Sequence, residues 1–454
     1  MHIVWAEQAL TADGWARDVT VEIDGNLIAG IAANTAPPGD AHRVGALLPA
    51  PANLHSHAFQ RAMAGLTERR GPDPRDSFWT WRQLMFRFLD QLTPDDVEAI
   101  AAFVQMEMLE AGYAAVGEFH YLHHAPGGVP YARLGEMSER IAAAAAHSGI
   151  GLTLLPVLYE YGGCDRRPLG PGQIRFGNDP ERFARLLEEA EAALAALPED
   201  TRLGIAPHSL RAVSQEGLAT CLGLRESGPI HMHLAEQEAE VDEVQAAYGA
   251  RPTEWLLANA PVDRNWCLIH CTQMQRAETL QLAATGAVAG LCPITESSLG
   301  DGIFDGVAWT GAGGAFGVGS DSNIRITLSE ELRTLDHSQR LRDHSRAALA
   351  TADRSTGRVL LESAARGGAQ ATARDAGVIE AGRLADLMAL DTDRIDLEGR
   401  RGDTLLDSWI FASDDRAISD VWAAGRHQVR AGRHVDHDAI TKRYRQTARR
   451  LQAS

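Results

Sequence analysis

Lysine is almost missing from this chain. Of its 43 basic residues only Lys442 is a lysine; the rest are arginines. Chemistry that needs a buried lysine is therefore excluded, including Schiff-base catalysis, a phosphate-loop lysine and a carbamylated lysine bridging two metals. Cysteine is sparse as well. The five thiols, Cys164, Cys221, Cys267, Cys271 and Cys292, are odd in number and contain no C-x-x-C, so no disulfide framework is expected and a reducing compartment is the default. No stretch approaches the ~20 apolar residues of a spanning helix. The opening Met1-His2-Ile3-Val4-Trp5 lacks the basic start and apolar run of a secretory signal, which predicts a cytoplasmic protein. Positive charge is in deficit too: 61 acidic residues outnumber the basic ones and set a formal charge of −18, which argues against nucleic acid or an anionic membrane as partner.

What the chain does have is room and rhythm. Its 454 residues, 45% of them hydrophobic, suffice for one large α/β domain and a smaller one. Residues 1–48 read as short strands, with a hairpin expected from Val19–Ile23 to Leu27–Ile31 around Gly25. From about Leu47, short apolar runs alternate with helical stretches. The runs end near His55, Phe119, Leu158, Pro207, Leu234, Ile269, Cys292 and Val318. Helices are predicted over Asp96–Ala111, Tyr131–His147, Pro180–Leu197, Gln237–Asn259 and Arg276–Thr285. Eight buried strands, each followed by a helix, predict a (β/α)8 barrel of TIM type. Helices over Leu328–Arg342 and Ser355–Ala373 follow, then strands at Leu384–Leu390 and Ile418–Ala424, so the two ends of the chain could pair into one β domain. Gly65–Trp81, with Gly71-Pro72-Asp73-Pro74, is expected to be a long loop over the mouth of the site.

Polar residues cluster where such strands end. His55 and His57, at i and i+2, share one face of a strand and can share a metal. Alone, H-x-H is a weak signal in a chain with 17 histidines. However, His233 ends the fifth run, His270 the sixth, and Asp321 follows the eighth. In a parallel barrel these ends converge, and three histidines with an aspartate suit a zinc-like divalent ion with an open position for water. Such an ion lowers the pKa of water towards neutrality. Asp321 could bind the ion and accept a proton, His270 could hydrogen-bond the attacking water or the developing oxyanion, and Glu236 could carry a proton to the leaving group. The chemistry expected is hydrolytic attack on a trigonal carbon.

These motifs resemble the amidohydrolase superfamily: His55-Ser56-His57, His233-x-x-Glu236, His270 and Ser320-Asp321, with Gly377–Leu387 similar to the segment that returns such chains to their β domain. The resemblance covers essentially the whole chain. It implies a distorted (β/α)8 barrel at residues 49–374, a small β-sandwich from residues 1–48 and 375–430, and a helical tail at 431–454. With no barrel lysine to bridge two metals, the resemblance is to the mononuclear deaminase branch. There His55, His57, His233 and Asp321 would bind one divalent ion, zinc by preference and ferrous iron as the alternative.

Within the branch, the stretches Asn53–Leu66, Phe78-Trp79-x-Trp81-Arg82, Glu118–Tyr121, Ala206–Arg211 and Cys292–Glu296 are similar to those of formiminoglutamate deiminases of histidine degradation. This implies that Gln60, Arg82, Tyr121, His208 and Arg211 contact a small dianionic substrate, N-formimino-L-glutamate, releasing ammonia and N-formyl-L-glutamate. It also implies a homodimer. His208 is left with two readings, a hydrogen bond to the imino nitrogen or orientation of a carboxylate. Two arginines match two carboxylates. The alternatives are a mononuclear deaminase of a nucleobase, nucleoside or triazine, whose relatives often carry an Asn where this chain has Thr295–Ser298, and a non-catalytic barrel used as a binding module.

Overall fold

A computed structural model describes residues 2–68, 78–224 and 227–453, apart from the side chains of Phe78, Trp79, Thr80 and Gln83. The expected Gly71-Pro72-Asp73-Pro74 turn and the side chain of Trp79 therefore lie outside the described residues.

The strands in chain order are β1 (His2–Thr11), β2 (Gly14–Asp24), β3 (Leu27–Ala32), β4 (His42–Pro49), β5 (Ala52–Ser56), β6 (Ala115–His120), β7 (Gly151–Leu158), β8 (Arg202–Leu203), β9 (Ala206–Pro207), β10 (Ile230–Leu234), β11 (Trp266–His270), β12 (Val288–Leu291), β13 (Ala315–Val318), β14 (Leu387–Leu390), β15 (Ile418–Ala423), β16 (Arg426–Arg430) and β17 (Arg433–His434). Strands β5 to β9 form one parallel sheet and β10 to β13 another. Single parallel bridges join the two, Ile205 to Ile230 on one side and Ser56 to Asp321 on the other. Every residue of β5, β6 and β7 is buried, as strands covered on both faces must be.

The second of these joins needs close backbone approach. A Cβ on Gly319 would stand 2.7 Å from the backbone N and O of His55, and one on Gly317 would stand 2.5 Å from the Leu54 side chain. Only glycine lets β13 lie this close to β5. Leu54 then fills the space between the strands with Cys267, Ile269, Val288, Cys292 and Ala371.

The two chain ends meet as expected, in an eight-stranded order β17-β16-β15-β14-β4-β1-β2-β3. The layers expected of a sandwich are joined by continuous hydrogen bonding, and Val4, Val21 and Ile28 share one apolar cluster with Leu387, Ala389 and Trp422. The β2–β3 hairpin turns at Gly25 with φ +59°, as predicted.

Some expected boundaries move. The 237–259 stretch is two helices, Glu238–Tyr248 and Pro252–Asn259, because Gly249 (φ 75°) ends the first and Pro252 starts the second. The helix expected from Tyr131 starts at Glu136. The segment expected to be loop through Trp81 is already helical from Phe78, in a helix running to Leu89. The residues after 430 also differ from a mere tail: β17 extends the sheet, and helix His437–Ala453 packs on helix Pro94–Glu110. There Tyr444 stacks on Phe103 at 3.9 Å, and Arg443 and Arg450 pair with Glu98 and Asp96. An amphipathic helix with a buried partner face gains more from docking than from solvation.

Arg374 ties the parallel strands to the terminal sheet. Its fully buried guanidinium donates to Asp200 Oδ2 at 3.0 Å and to both oxygens of Asp386 at 3.0 Å, while Arg426 completes Asp200 at 2.7 and 2.9 Å. Breaking such a buried pair strands a charge. Arg374→Met is expected to cost about 3–5 kcal/mol of unfolding free energy, measured by urea titration. Burial raises the Asp200 pKa, but Arg426 and Arg374 outweigh it and hold the carboxyl below its usual range. Its contribution is thus full above the unfolded pKa near ~4 and lost as pH falls through the lower folded value, so the acid side of the stability profile should flatten in Arg374→Met.

Candidate active site

Strand direction places the functional side chains. His55 and His57 stand at and just past the end of β5, His233 near the end of β10, His270 at the end of β11, and Asp321 three residues beyond β13. Several of these turns leave their strands through left-handed backbone: φ is 51° at Ala235, 73° at His270, 55° at Cys271, 45° at Asp321 and 54° at Asn323. Each such non-glycine residue costs on the order of 1–3 kcal/mol and persists only where its surroundings hold it.

The restraint at Asp321 is visible. Its N–H donates to the His55 carbonyl at 2.9 Å, and the His57 N–H donates to the Asp321 carbonyl at 2.9 Å. Asn53 donates to Ser320 Oγ at 2.7 Å, Ser320 Oγ to Asn323 Oδ1 at 2.6 Å, and Asn323 to Ser56 Oγ at 3.1 Å. Arg61 grips Glu107 through two bonds of 2.7 Å and donates to the Asn323 and Ile324 carbonyls at 3.1 and 3.0 Å.

The imidazoles converge. The ligating nitrogens of His55, His57 and His233 lie within 4.8 Å of one another, and so do those of His55 and His270 with an Asp321 oxygen. Asp321 Oδ1 is 3.2 Å from His57 Nε2 and 3.5 Å from His55 Nε2. Nδ1 of His57 is held by the Phe119 carbonyl at 3.0 Å and Nδ1 of His233 by the His208 carbonyl at 3.2 Å, which turns each Nε2 inward. Both ring nitrogens of His55 are buried and have no hydrogen-bond partner among the described residues, an unusual state for polar atoms.

Burial drives the His55 pKa down to about 3, reinforced by His57 and opposed by Asp321, and it lowers His57 and His233 as well. Neutral imidazole is the form that binds metal. For Asp321, burial is outweighed by the close His55 imidazole and by the fields of His270 and His57, and the carboxyl stays below its usual range. His55, His57, His233 and Asp321 thus have the composition, spacing and protonation to hold a divalent ion.

His270 differs. Burial opposes its charge, but Glu236, Glu296 and Asp321 raise its pKa to about 10. Its Nδ1 faces Glu296 Oε1 at 3.3 Å, and its Nε2 is 3.8 Å from both Glu236 Oε1 and Asp321 Oδ2. It therefore points a proton donor towards the carboxylates.

One pocket joins this cluster to all five expected substrate contacts. Gln60, Arg82, Tyr121, His208 and Arg211 line it together with His57, His233, Glu236 and Asp321. Arg82, just past the expected loop, lies on the helix Phe78–Leu89 and donates to the Tyr159 hydroxyl at 2.6 Å. Gln60 donates to Tyr121 at 2.7 Å. Arg211 meets Glu236 at 3.3 Å and Glu240 at 3.9 Å.

Sequence reasoning missed Tyr159, Glu240 and the role of Glu296. Tyr159 directly follows β7, the same strand-end position that marked the histidines. Glu240 is four residues after Glu236, and its Oε2 accepts the Glu236 N–H at 2.9 Å. The five cysteines are buried free thiols, and the Cys271 thiol is pushed well above its normal pKa by burial, so it is an inert neighbour of His270.

The pattern of the amidohydrolase family matches residues 46–427. The chain belongs to the amidohydrolase family. The N-terminal domain described for formimidoylglutamate deiminase HutF matches residues 1–45. The formimidoylglutamate deiminase of Pseudomonas aeruginosa is 46% identical over 447 residues, 98% of each chain. A 5-methylthioadenosine/S-adenosylhomocysteine deaminase of Natronomonas pharaonis is 28% identical over 76% of this chain and 73% of its own. Among solved structures, an amidohydrolase from Brucella melitensis covers 100% of both chains at 46% identity, with a TM-score of 0.96. An adenosine deaminase from Xanthomonas campestris with bound zinc has a TM-score of 0.83 at 22% identity, covering 100% of this chain and 98% of its own, and shares the fold of this amidohydrolase.

If the four-residue set holds a metal, His57→Ala and Asp321→Asn should each weaken metal affinity by more than the ~10–100-fold typical of losing a supporting hydrogen bond. Metal content after dialysis against graded metal buffers measures this.

Proposed function

We propose that this chain is a metal-dependent deiminase that hydrolyses N-formimino-L-glutamate to N-formyl-L-glutamate and ammonia. One observation carries the reading: Arg82 and Arg211 line the same pocket as His57, His233 and Asp321, with His55 packed behind them. A substrate with a carboxylate at each of two places and a formimino carbon between them and the cluster fits that layout. The relative that is 46% identical over 98% of both chains carries the name of this activity. We read the two bridged parallel sheets as one distorted (β/α)8 barrel at residues 49–374, and the ends, 1–48 and 375–430, as the small β domain. Zinc is the metal best suited to the donor set.

When bound, a divalent ion supplies Lewis acidity and an acidified water. The residues do the rest. Arg82, beside Tyr159, and Arg211, backed by Glu240, orient the carboxylates, while Gln60 and Tyr121 present neutral polar groups. His208 is kept neutral by burial and by the nearby Arg211 and Arg82 charges, so it offers a hydrogen bond without adding charge. Asp321 remains ionised and is positioned to accept a proton from water. Water adds to the formimino carbon as the C=N bond opens. His270 donates towards the oxygen where charge develops. Glu236 sits between His270 at 3.8 Å and Arg211 at 3.3 Å, within reach of both the water and the departing nitrogen. Glu236 passes the proton on to that nitrogen as the C–N bond breaks. Ammonia then leaves and the formyl C=O remains.

Ammonia release should be rapid from N-formimino-L-glutamate and slow from N-formimino-L-aspartate, guanine and adenosine. Turnover of a base in place of formiminoglutamate would keep the metal site and overturn the specificity. Glu236→Gln should lower kcat by roughly 10²–10⁴-fold with metal content intact, as expected for lost proton transfer. Arg82→Met should raise KM by roughly 10–100-fold, the worth of a charged hydrogen bond, with a smaller effect on kcat.

A further inference from the structure

A second cluster of metal-ligating groups lies away from the active site, in the terminal sheet. His42 opens β4, Asp420 is in β15, and His427 is in β16, paired across the ladder with Trp422. Asp420 is buried at 5% exposure on the same face of β15 as Trp422, which belongs to the apolar cluster of that sheet. A carboxylate there needs compensation.

What it meets is two imidazoles aimed at one atom. His42 Nε2 is 2.9 Å and His427 Nε2 2.8 Å from the same oxygen, Asp420 Oδ1. The three donor atoms lie within 4.8 Å of one another. The His427 ring is locked by stacking on Trp422 at 4.3 Å and 19°, and the two imidazoles stand 4.9 Å apart, nearly perpendicular.

We propose that His42, Asp420 and His427 form a second divalent-metal site, suited to zinc or another first-row transition ion. Two nitrogens and one carboxylate oxygen are a common donor set for such ions. Metal–ligand bonds of about 2.0–2.2 Å require donor atoms somewhat over 3 Å apart, so the cluster needs to open by only about half an ångström. The His42 side chain is 45% exposed, which gives an ion a path in and a water a place as fourth ligand. Arg426 lines the same groove, but its guanidinium is neutralised on Asp200 at 2.7 and 2.9 Å, and Asp40 adds negative charge nearby. An ion here would clip β4 to the β15–β16 hairpin, joining residues 378 positions apart in sequence. Its effect falls on the small domain, and the reading is independent of the active-site proposal.

The test is zinc titration of the chelator-stripped full chain by calorimetry, with bound zinc counted by elemental analysis. Wild type should bind two equivalents. His427→Ala and His42→Gln should keep one, weaken the second on the order of tenfold or more, and leave ammonia release unchanged. The Gln variant retains a donor to Asp420, so loss of the second equivalent there is not loss of fold. A wild-type stoichiometry that persists unweakened in both variants overturns the proposal, whereas a single equivalent that both variants weaken supports it and counts against the active-site metal instead.

Discussion

The active site hangs on the junction where β5 meets the turn after β13. Reciprocal backbone bonds between His55, His57 and Asp321 hold that junction, and Gly317 and Gly319 make the approach possible. Everything that distinguishes the site follows from it. It brings a carboxylate within 3.2–3.5 Å of two imidazoles from the far end of the domain. It also stabilises the left-handed conformation at Asp321, which would otherwise be unfavourable. The Asn53–Ser320–Asn323–Ser56 chain of side-chain bonds reinforces the junction from behind the residues that line the pocket.

Burial then sorts otherwise similar residues into different roles. His55, His57 and His233 lose their proton because desolvation dominates, whereas His270, equally buried, keeps one because three carboxylates surround it. Four histidines of the same chemical type thus divide into three neutral imidazoles and a donor. The division is made by neighbours, in the way that paired titratable groups in hydrolytic sites are commonly driven apart. The arginines divide too. Arg374 and Arg426 are spent on a structural network between the parallel strands and the terminal sheet, while Arg82 and Arg211 face the pocket.

Legibility in the sequence followed the range of each signal. The eight strand ends could be read because burial on both faces leaves a continuous apolar run, and a run's end is a local property. The polar residues at those ends then identified the cluster, and the missing lysine narrowed the metal chemistry. Helix boundaries were less legible: Gly249 and Pro252 split one expected helix, and the helix carrying Arg82 begins just after a stretch rich in Gly and Pro. Tyr159 and Glu240 escaped notice because a tyrosine after a strand and a glutamate in a helix are ordinary until their neighbours are known.

The sequence alone determined which chemistry was available: the alternation of strands and helices, the polar strand ends, and the absence of a lysine to bridge two metals. Those are properties of residue type and periodicity, and no fold is needed to state them. Tertiary structure decided the rest. Which imidazoles are neutral, that Arg82 enters the pocket from a helix, and that His42 meets Asp420 and His427 all depend on distances between residues remote in sequence. Coulomb and desolvation energies are functions of those distances and of burial, and a linear order of residues contains neither.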